Sequence, residues 1–292
     1  MYPPFYLKEM GQTSAWTPAV SLEAMDKHGV ATAMLSPVQR LVSDSMSDRS
    51  DRARSLTRQS NEYGAQVVKD HPGRFGLFAA LPLPDQDGSL REIEYSFDVL
   101  KADGIALWTS YTDKWLGDPA FAPAFEMLNR RNAVVFVHPA VASCCRNLPG
   151  QSGIMEFDID TARTIDSLLW NGTLARFPNV RFIFVHSGGA LSVLADRIID
   201  DFPRNRADRV PNGVEHEIRK LYFDVAHGSK PAALDALKDL VPVTQILFGS
   251  DATIRAYELT TAGLDAYSGF SAKDWTAIYR GNAERLFPRL KG

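Results

Sequence analysis

The sequence predicts an α/β fold built around a parallel sheet. Three observations point there. Short apolar, β-rich runs recur along the chain, and several are continuous rather than alternating, as in strands buried on both faces. Helix-period patterns lie between them, and this alternation implies βαβ units with right-handed crossovers. No linker, low-complexity tract or internal repeat interrupts the series, so one domain over residues 1–292 is expected.

The elements follow in order. Pro18–His28 reads as a helix, with Gly29 just past its end, and Ala31–Leu35 as the first apolar run. Ser50–Asp70 is helical, carrying Ala53, Leu56, Ala65 and Val68. Strands are expected at Phe75–Leu81 and Gly104–Trp108. Asp118–Arg131 places Phe121, Phe125 and Leu128 on one face, and Ala133–Val137 is the next strand. Asp158–Phe177 carries Ile159, Ala162, Ile165, Leu168 and Leu169 at spacings of three and four. Strands Arg181–Val185, Leu221–Val225 and Gln245–Gly249 then alternate with helices Ala190–Phe202, Pro231–Leu240 and Ser271–Phe287. Asp118, Asp158 and Ser271 stand where helix N-caps belong.

Two architectures fit, an open doubly wound sheet and a (β/α)8 barrel. No G-x-G-x-x-G or G-x-x-x-x-G-K-[ST] loop follows an early strand, which weakens the nucleotide-binding open sheet. A closed barrel needs eight strands, and seven runs are readable, none ahead of the Pro18 helix. The expectation is a distorted barrel whose first strand is missing from this chain.

Composition narrows the function classes. The 292 residues carry a net charge of −3, with 45% hydrophobic and 23% charged residues, which excludes a disordered or fibrous chain. Lys and Arg are scattered rather than striped, so nucleic acid is not an expected partner. No apolar run reaches the roughly 18–20 residues of a membrane span. No signal peptide is readable in Met1–Lys8. The two cysteines, Cys144 and Cys145, are neighbours and cannot build a disulfide framework. A cytoplasmic protein is expected.

Chemistry-bearing residues stand directly after expected strands. They are His138 in Val137-His138-Pro139, His186 in Val185-His186-Ser187-Gly188-Gly189, and Asp251 in Gly249-Ser250-Asp251. In a barrel the strand C-termini share one face, so residues distant in sequence converge there. Two imidazoles and a carboxylate in one cleft suit a divalent metal acting as Lewis acid. A lone histidine after a strand is more often a hydrogen-bonded core residue, and a lone Asp an N-cap; three together favour a site. The two glycines after His186 permit close approach of a ligand or of backbone. His227 should face the same rim and Asp224 could point inward, but a loop histidine and a buried, hydrogen-bonded carboxyl are the favoured readings of the two. Trp108, Thr109, Ser110 and Tyr111 offer an aromatic wall with hydroxyls for a planar substrate.

Longer stretches carry a resemblance. They are Asn61-Glu62-Tyr63, His71-Pro72-Gly73-Arg74-Phe75 with the following LFAALPLPD, Val135-Phe136-Val137-His138-Pro139, Phe184-Val185-His186-Ser187-Gly188-Gly189, Leu247-Phe248-Gly249-Ser250-Asp251 and Arg280-Gly281-Asn282-Ala283. Together they resemble the amidohydrolase-related metal-dependent decarboxylases, and most closely the 6-methylsalicylate and γ-resorcylate decarboxylases. The resemblance covers nearly the whole chain and implies a distorted (β/α)8 barrel, a metal site and a homodimer. In that family the metal is held by an H-x-H pair on the first strand, the His of the VHP motif and the Asp of the GSD motif. Carried over, His138 and Asp251 are implied metal ligands and His186 a catalytic partner beside them.

The chain departs from the pattern twice. It contains no H-x-H pair. Either about ten residues, enough for one strand at roughly 3.3 Å per residue, are absent ahead of Met1, or this member has lost the pair. Weak metal binding is therefore expected, with His227 as a candidate substitute ligand. After Asp251 the chain reads Ala252-Thr253-Ile254, where relatives continue with Tyr or Phe and Pro. The expected function is nonoxidative decarboxylation of a small aromatic or unsaturated carboxylic acid, with Asp251 and His186 catalytic and Trp108, Ser110, Tyr111 and His227 at the substrate. Zinc suits imidazole and carboxylate donors best, with manganese and magnesium open. The alternatives are a metal-dependent hydrolase or hydratase on the same scaffold, and a metal-poor, non-catalytic member.

Overall fold

In the computed structural model, the described residues are 16–36, 50–140, 142, 145, 152–252 and 255–291. Two compact units are present, Met1–Leu107 with Phe287–Gly292, and Trp108–Leu286. Among the described residues no helix is long and apolar enough to cross a membrane. The expectation about a first strand falls on residues 1–15, which lie outside the described residues, as do Cys144, Thr253 and Ile254.

The first unit contains α1 (Pro18–Lys27), β1 (Ala33–Leu35), α2 (Ser50–Asp70), β2 (Phe75–Ala80), α3 (Gln86–Asp98) and most of β3 (Gly104–Trp108). Its strands run parallel, with Ala33 opposite Phe75 and Phe78 opposite Gly104. Every residue of β2 is buried, as the unbroken apolar run Phe75–Leu81 requires of a central strand. Thr17 caps α1 by accepting from the Val20 N–H at 3.1 Å, and Gly29 ends it at φ 65°. Helix α3 has no counterpart in the expected elements, although its signals are present. Asp85 accepts from the Gly88 N–H at 3.1 Å as its N-cap, and Leu90, Ile93 and Phe97 are spaced by three and four. The Arg54 guanidinium grips that cap and holds the Asp85 carboxyl below its ordinary pKa.

The fully buried Asn61 ties these layers together. Its amide donates to Ala80 O at 2.9 Å and to Glu92 Oε1 at 2.8 Å, and its Oδ1 accepts from the Ala80 N–H at 2.8 Å. One side chain on α2 thus satisfies both backbone groups at the end of β2 and a buried carboxylate on α3.

The second unit begins with an antiparallel pair, β4 (Ser110–Tyr111) and β5 (Lys114–Trp115). It continues through α4 (Ala122–Arg130), β6 (Val134–His138), α5 (Ser152–Trp170), β7 (Arg181–Phe184), α6 (Leu191–Asp200), β8 (Tyr222–Asp224), α7 (Pro231–Leu240), β9 (Ile246–Leu247) and α8 (Tyr257–Asp265). Strands β6 to β9 pair in sequence order, all parallel. Three parallel strands in the first unit and four in the second account for the seven apolar runs. Phe125, Phe182, Phe184 and Phe223 form a buried aromatic ladder, with successive ring centroids 5.6, 6.0 and 6.2 Å apart.

Two helix expectations are corrected. Asp158 is not an N-cap, because α5 starts at Ser152 and carries Asp158 in its second turn. Ser271–Phe287 is helical without a break from Ala272 to Leu286 but is not α-helical throughout. Ser271 does cap its start in a capping box with Asp274, but a π-helical turn at Ala277–Gly281 separates Ala272–Thr276 from Asn282–Leu286.

Replacing Asn61 with Ala removes the side-chain partner of the Ala80 N–H and C=O and of Glu92 Oε1, while Arg58 stays on Glu92 Oε2 at 2.9 Å. The expected loss is about 2–3 kcal/mol of unfolding free energy, read by urea denaturation. A loss below about 1 kcal/mol would show that water replaces the amide.

Candidate functional site

Three successive strands of the second unit end in backbone that bends through the left-handed region. After β7, His186 and Ser187 have φ of 58° and 55°; after β8, His227 has φ 55°; after β9, Asp251 has φ 54°. Non-glycine residues adopt this conformation rarely, and such strain gathers at functional sites.

The carboxyl of Asp224 holds two of these turns. Its Oδ1 accepts from the His186 N–H at 3.1 Å and the Ala226 N–H at 3.0 Å. Burial raises its pKa to about 7, against the lowering effect of both hydrogen bonds. Ser187 Oγ donates to Gly228 O at 3.1 Å and joins the first turn to the second. Gly189, at φ 59°, is a close-approach glycine: a Cβ there would lie 2.4 Å from the backbone oxygen of Asp158. Gly189 therefore admits backbone, one of the two roles the sequence allowed, whereas Gly188 makes room for the Phe223 ring.

These turns bring His138, His186 and Asp251 together. One ligand atom from each lies within 4.8 Å of the other two. The His138 and His186 ring centroids are 5.6 Å apart, and those of His186 and His227 are 4.8 Å apart. His138 Nδ1 lies 3.1 Å from Pro139 O. A carbonyl oxygen only accepts, so Nδ1 carries the hydrogen and Nε2 keeps its lone pair. Burial pushes the His138 imidazole below its ordinary pKa, opposed by the nearby Asp251. Burial lowers His186 to about 2, helped by His138, His227 and Arg255. Both rings are thus neutral, the form that binds a cation. His186 Nε2 is buried and has no hydrogen-bond partner.

His227 is the exposed member of the group, with its side chain 40% accessible. Its Nε2 lies 3.1 Å from Asp251 Oδ2, and its Nδ1 lies 3.4 Å from Arg255 Nη1. A guanidinium only donates, so Nδ1 is the acceptor and Nε2–H donates to Asp251. The hydrogen-bond chain therefore runs from Arg255 through His227 to Asp251.

A second network supports the turn after β6. Thr109 N–H donates to His138 O at 3.0 Å, and the Ala140 N–H donates to Thr109 Oγ1 at 2.8 Å. The Thr109 hydroxyl in turn donates to the buried Asp160, which also accepts from Trp115 Nε1 at 2.7 Å. The Trp108 ring packs edge-on against His138 at 5.6 Å. Ser110 and Tyr111 lie further back. Both are buried, with Ser110 Oγ 3.4 Å from Asp160 and Tyr111 Oη accepting from the Trp108 N–H at 3.1 Å. Of the expected site residues, Trp108, His138, His186, His227 and Asp251 form one contact network, and Ser110 and Tyr111 join the structure supporting it. Asp160 and Arg255 were not among the expected site residues. Asp160 lies on α5, where the sequence singled out only apolar positions, and Arg255 reaches the site through the turn at Asp251, which it closes by donating its N–H to Asp251 O at 3.0 Å.

The chain is 33% identical to Decarboxylase macB of Penicillium terrestre, over 99% of this chain and 93% of that protein. It is 34% identical to the 6-methylsalicylic acid decarboxylase of Penicillium expansum, over 82% and 77%. Among solved structures, the dihydroxybenzoic acid decarboxylase of Polaromonas sp. JS666, which holds manganese and the inhibitor 2-nitroresorcinol, matches with a TM-score of 0.85. That match has 20% identity and covers 100% of this chain and 96% of the other. The likeness shows the fold, the (β/α)8-barrel-like α/β architecture expected from the sequence. The amidohydrolase family model matches residues 4–289, and the chain belongs to that family.

Proposed function

We propose that the protein is a metal-dependent, nonoxidative decarboxylase of a small aromatic or unsaturated carboxylic acid, with its centre at His138, His186 and Asp251. The observation that carries this reading is the convergence of two neutral imidazoles and a carboxylate within 4.8 Å, one imidazole nitrogen being buried and unpaired. The donor set suits a divalent cation, held by His138 Nε2 and Asp251. Zinc is the metal this set favours, and manganese is the one bound in the solved Polaromonas relative. When bound, the cation supplies Lewis-acid polarisation of the substrate's carboxylate and of a hydroxyl beside it.

The remaining chemistry belongs to the chain. Decarboxylation at an unsaturated carbon requires that carbon to gain a proton. The carbon–carboxylate bond then breaks, its electron pair returns to the carbon skeleton, and CO2 leaves. Asp251 carries the proton, and the Nε2–H of His227 steadies its Oδ2. His186 assists at Nε2, the atom left free of protein partners. Trp108 walls the planar substrate beside His138. The proposal further takes the chain as one domain acting as a homodimer in the cytoplasm, consistent with its family resemblance and its sparse, neighbouring cysteines.

With a hydroxylated benzoate in D2O, the protein is expected to release CO2 and return a phenol bearing one deuterium at the carbon that lost the carboxylate. Ring opening or hydration without CO2 would instead support a hydrolase or hydratase on this scaffold. His138→Ala and Asp251→Ala are expected to lower metal content, measured by inductively coupled plasma mass spectrometry, together with activity. His186→Ala is expected to lower activity at least about 100-fold, the low end of an acid–base contribution, with metal largely retained. Equal metal loss in all three variants would make His186 a ligand.

A further inference from the structure

Charged and ring nitrogens differ from hydroxyls in one respect that matters for recognition: their N–H directions are fixed, whereas a hydroxyl rotates to suit its surroundings. Among the described residues, the buried side-chain polar atoms without a hydrogen-bond partner are five hydroxyls of Thr and Ser, the two carboxylate oxygens of Glu217, whose Oε2 is ion-paired with Lys220, and three nitrogens. The nitrogens are Trp108 Nε1, His186 Nε2 and Arg255 Nε. All three residues belong to the contact network of the candidate site. Trp108 packs on His138, His186 faces both other histidines, and Arg255 donates to His227.

A buried N–H donor without an acceptor is costly, and more so on a cation. Arg255 spends Nη1 on His227 and leaves Nε buried and unpaired. Its guanidinium also acts on the His186 ring. An anionic acceptor satisfies such a cationic donor best, through a charge-assisted hydrogen bond. Trp108, whose ring packs on His138, adds a second buried N–H without an acceptor at Nε1.

We propose that Arg255, with Trp108 Nε1–H as second donor, is the anion anchor of this site and binds a carboxylate-bearing aromatic ligand through its Nε–H. The inference rests on the decarboxylase reading only for the ligand class, because the unpaired donors are there whatever reaction follows. It makes Arg255 a substrate-binding residue, and it separates the charge that orients the ligand from the groups that hold metal and proton.

The test is equilibrium binding of benzoate and of benzamide, its uncharged counterpart, by isothermal titration calorimetry. Benzoate lacks the ring hydroxyl that a Lewis acid would use beside the carboxylate, so it serves as a binding probe. The full chain is titrated both metal-loaded and chelator-treated, which removes metal–carboxylate contacts from the comparison. Wild-type protein is expected to prefer benzoate in both states. Arg255→Met is expected to weaken benzoate about 10-fold or more while leaving benzamide unchanged, as loss of a charge-assisted hydrogen bond implies. Arg255→Lys is expected to recover part of the preference. Trp108→Phe is expected to weaken both ligands modestly. His227→Asn controls for the freed imidazole and is expected to keep the benzoate preference. Circular dichroism and metal content of each variant exclude misfolding.

A benzoate preference that survives in Arg255→Met, or that is absent from chelator-treated wild-type protein, overturns the anchor. So does a loss in His227→Asn equal to that in Arg255→Met. If the preference depends on Arg255 but no aromatic acid releases CO2, the anchor stands and the decarboxylase reading falls. If CO2 is released with the same KM in Arg255→Met as in wild type, the anchor falls and the reaction stands.

Discussion

The centre depends on one buried carboxyl group. Asp224 closes β8 and accepts backbone N–H groups from His186 and Ala226, and so holds the turns that follow β7 and β8. Without it, two amides at the strand ends would be buried unpaired beside residues already in left-handed backbone, a conformation that costs of order 1–3 kcal/mol each. The packing around it leaves no room for substitutes. A Cβ at Gly249 would lie 2.6 Å from the Asp224 carboxyl carbon, so a residue that leads from β9 to Asp251 is limited to glycine by the same group. The placement of His186, His227 and Asp251 is therefore one problem with one solution.

Electrostatics follows from that placement. Both imidazoles stay neutral for different reasons: at His138 desolvation outweighs the attraction of Asp251, and at His186 desolvation is reinforced by His138, His227 and Arg255. Neutral imidazoles are ligands and proton acceptors rather than cations, which is what the proposed centre needs. The fixed positive charge comes instead from the Arg255 guanidinium, which donates to His227. On the far side, Asp160 fixes Thr109, whose backbone and hydroxyl hold the peptides on either side of Pro139. Asp160 thereby acts on His138 through the backbone rather than by touching it.

Much of this was legible in the sequence because strand ends in parallel α/β folds share a face. Position after an apolar run sufficed to pick His138, His186 and Asp251 from a chain with 35 acidic residues and 6 histidines. Helix Ser50–Asp70 was readable to its last residue from apolar positions near its two ends, although Thr57, Ser60 and Asn61 fill the middle of its buried face. Helices α3 and α8 were not, because Gly88 and Ser89 break the pattern of the first and three threonine or glycine positions dilute the second. Asp158 looked like a cap because its side chain favours one, yet the turn before it is helical already and exposes Ile154 and Met155. Arg255 carried no periodic or motif signal, since only the reversal at Asp251 brings it to the site.

Hydrogen-bond direction decides what His227 can do. An imidazole has two ring nitrogens, and a neutral one offers a single lone pair. Here that lone pair, on Nδ1, faces a guanidinium N–H, and the other nitrogen spends its hydrogen on Asp251. A ring so engaged has nothing left with which to bind a cation, which argues against His227 as a substitute ligand. Reversing the tautomer would set an N–H against the Arg255 N–H and an acceptor against a carboxylate, losing both bonds at once. The arrangement instead fits an outer partner that orients a carboxylate beside a metal centre, with the arginine fixing the tautomer from behind.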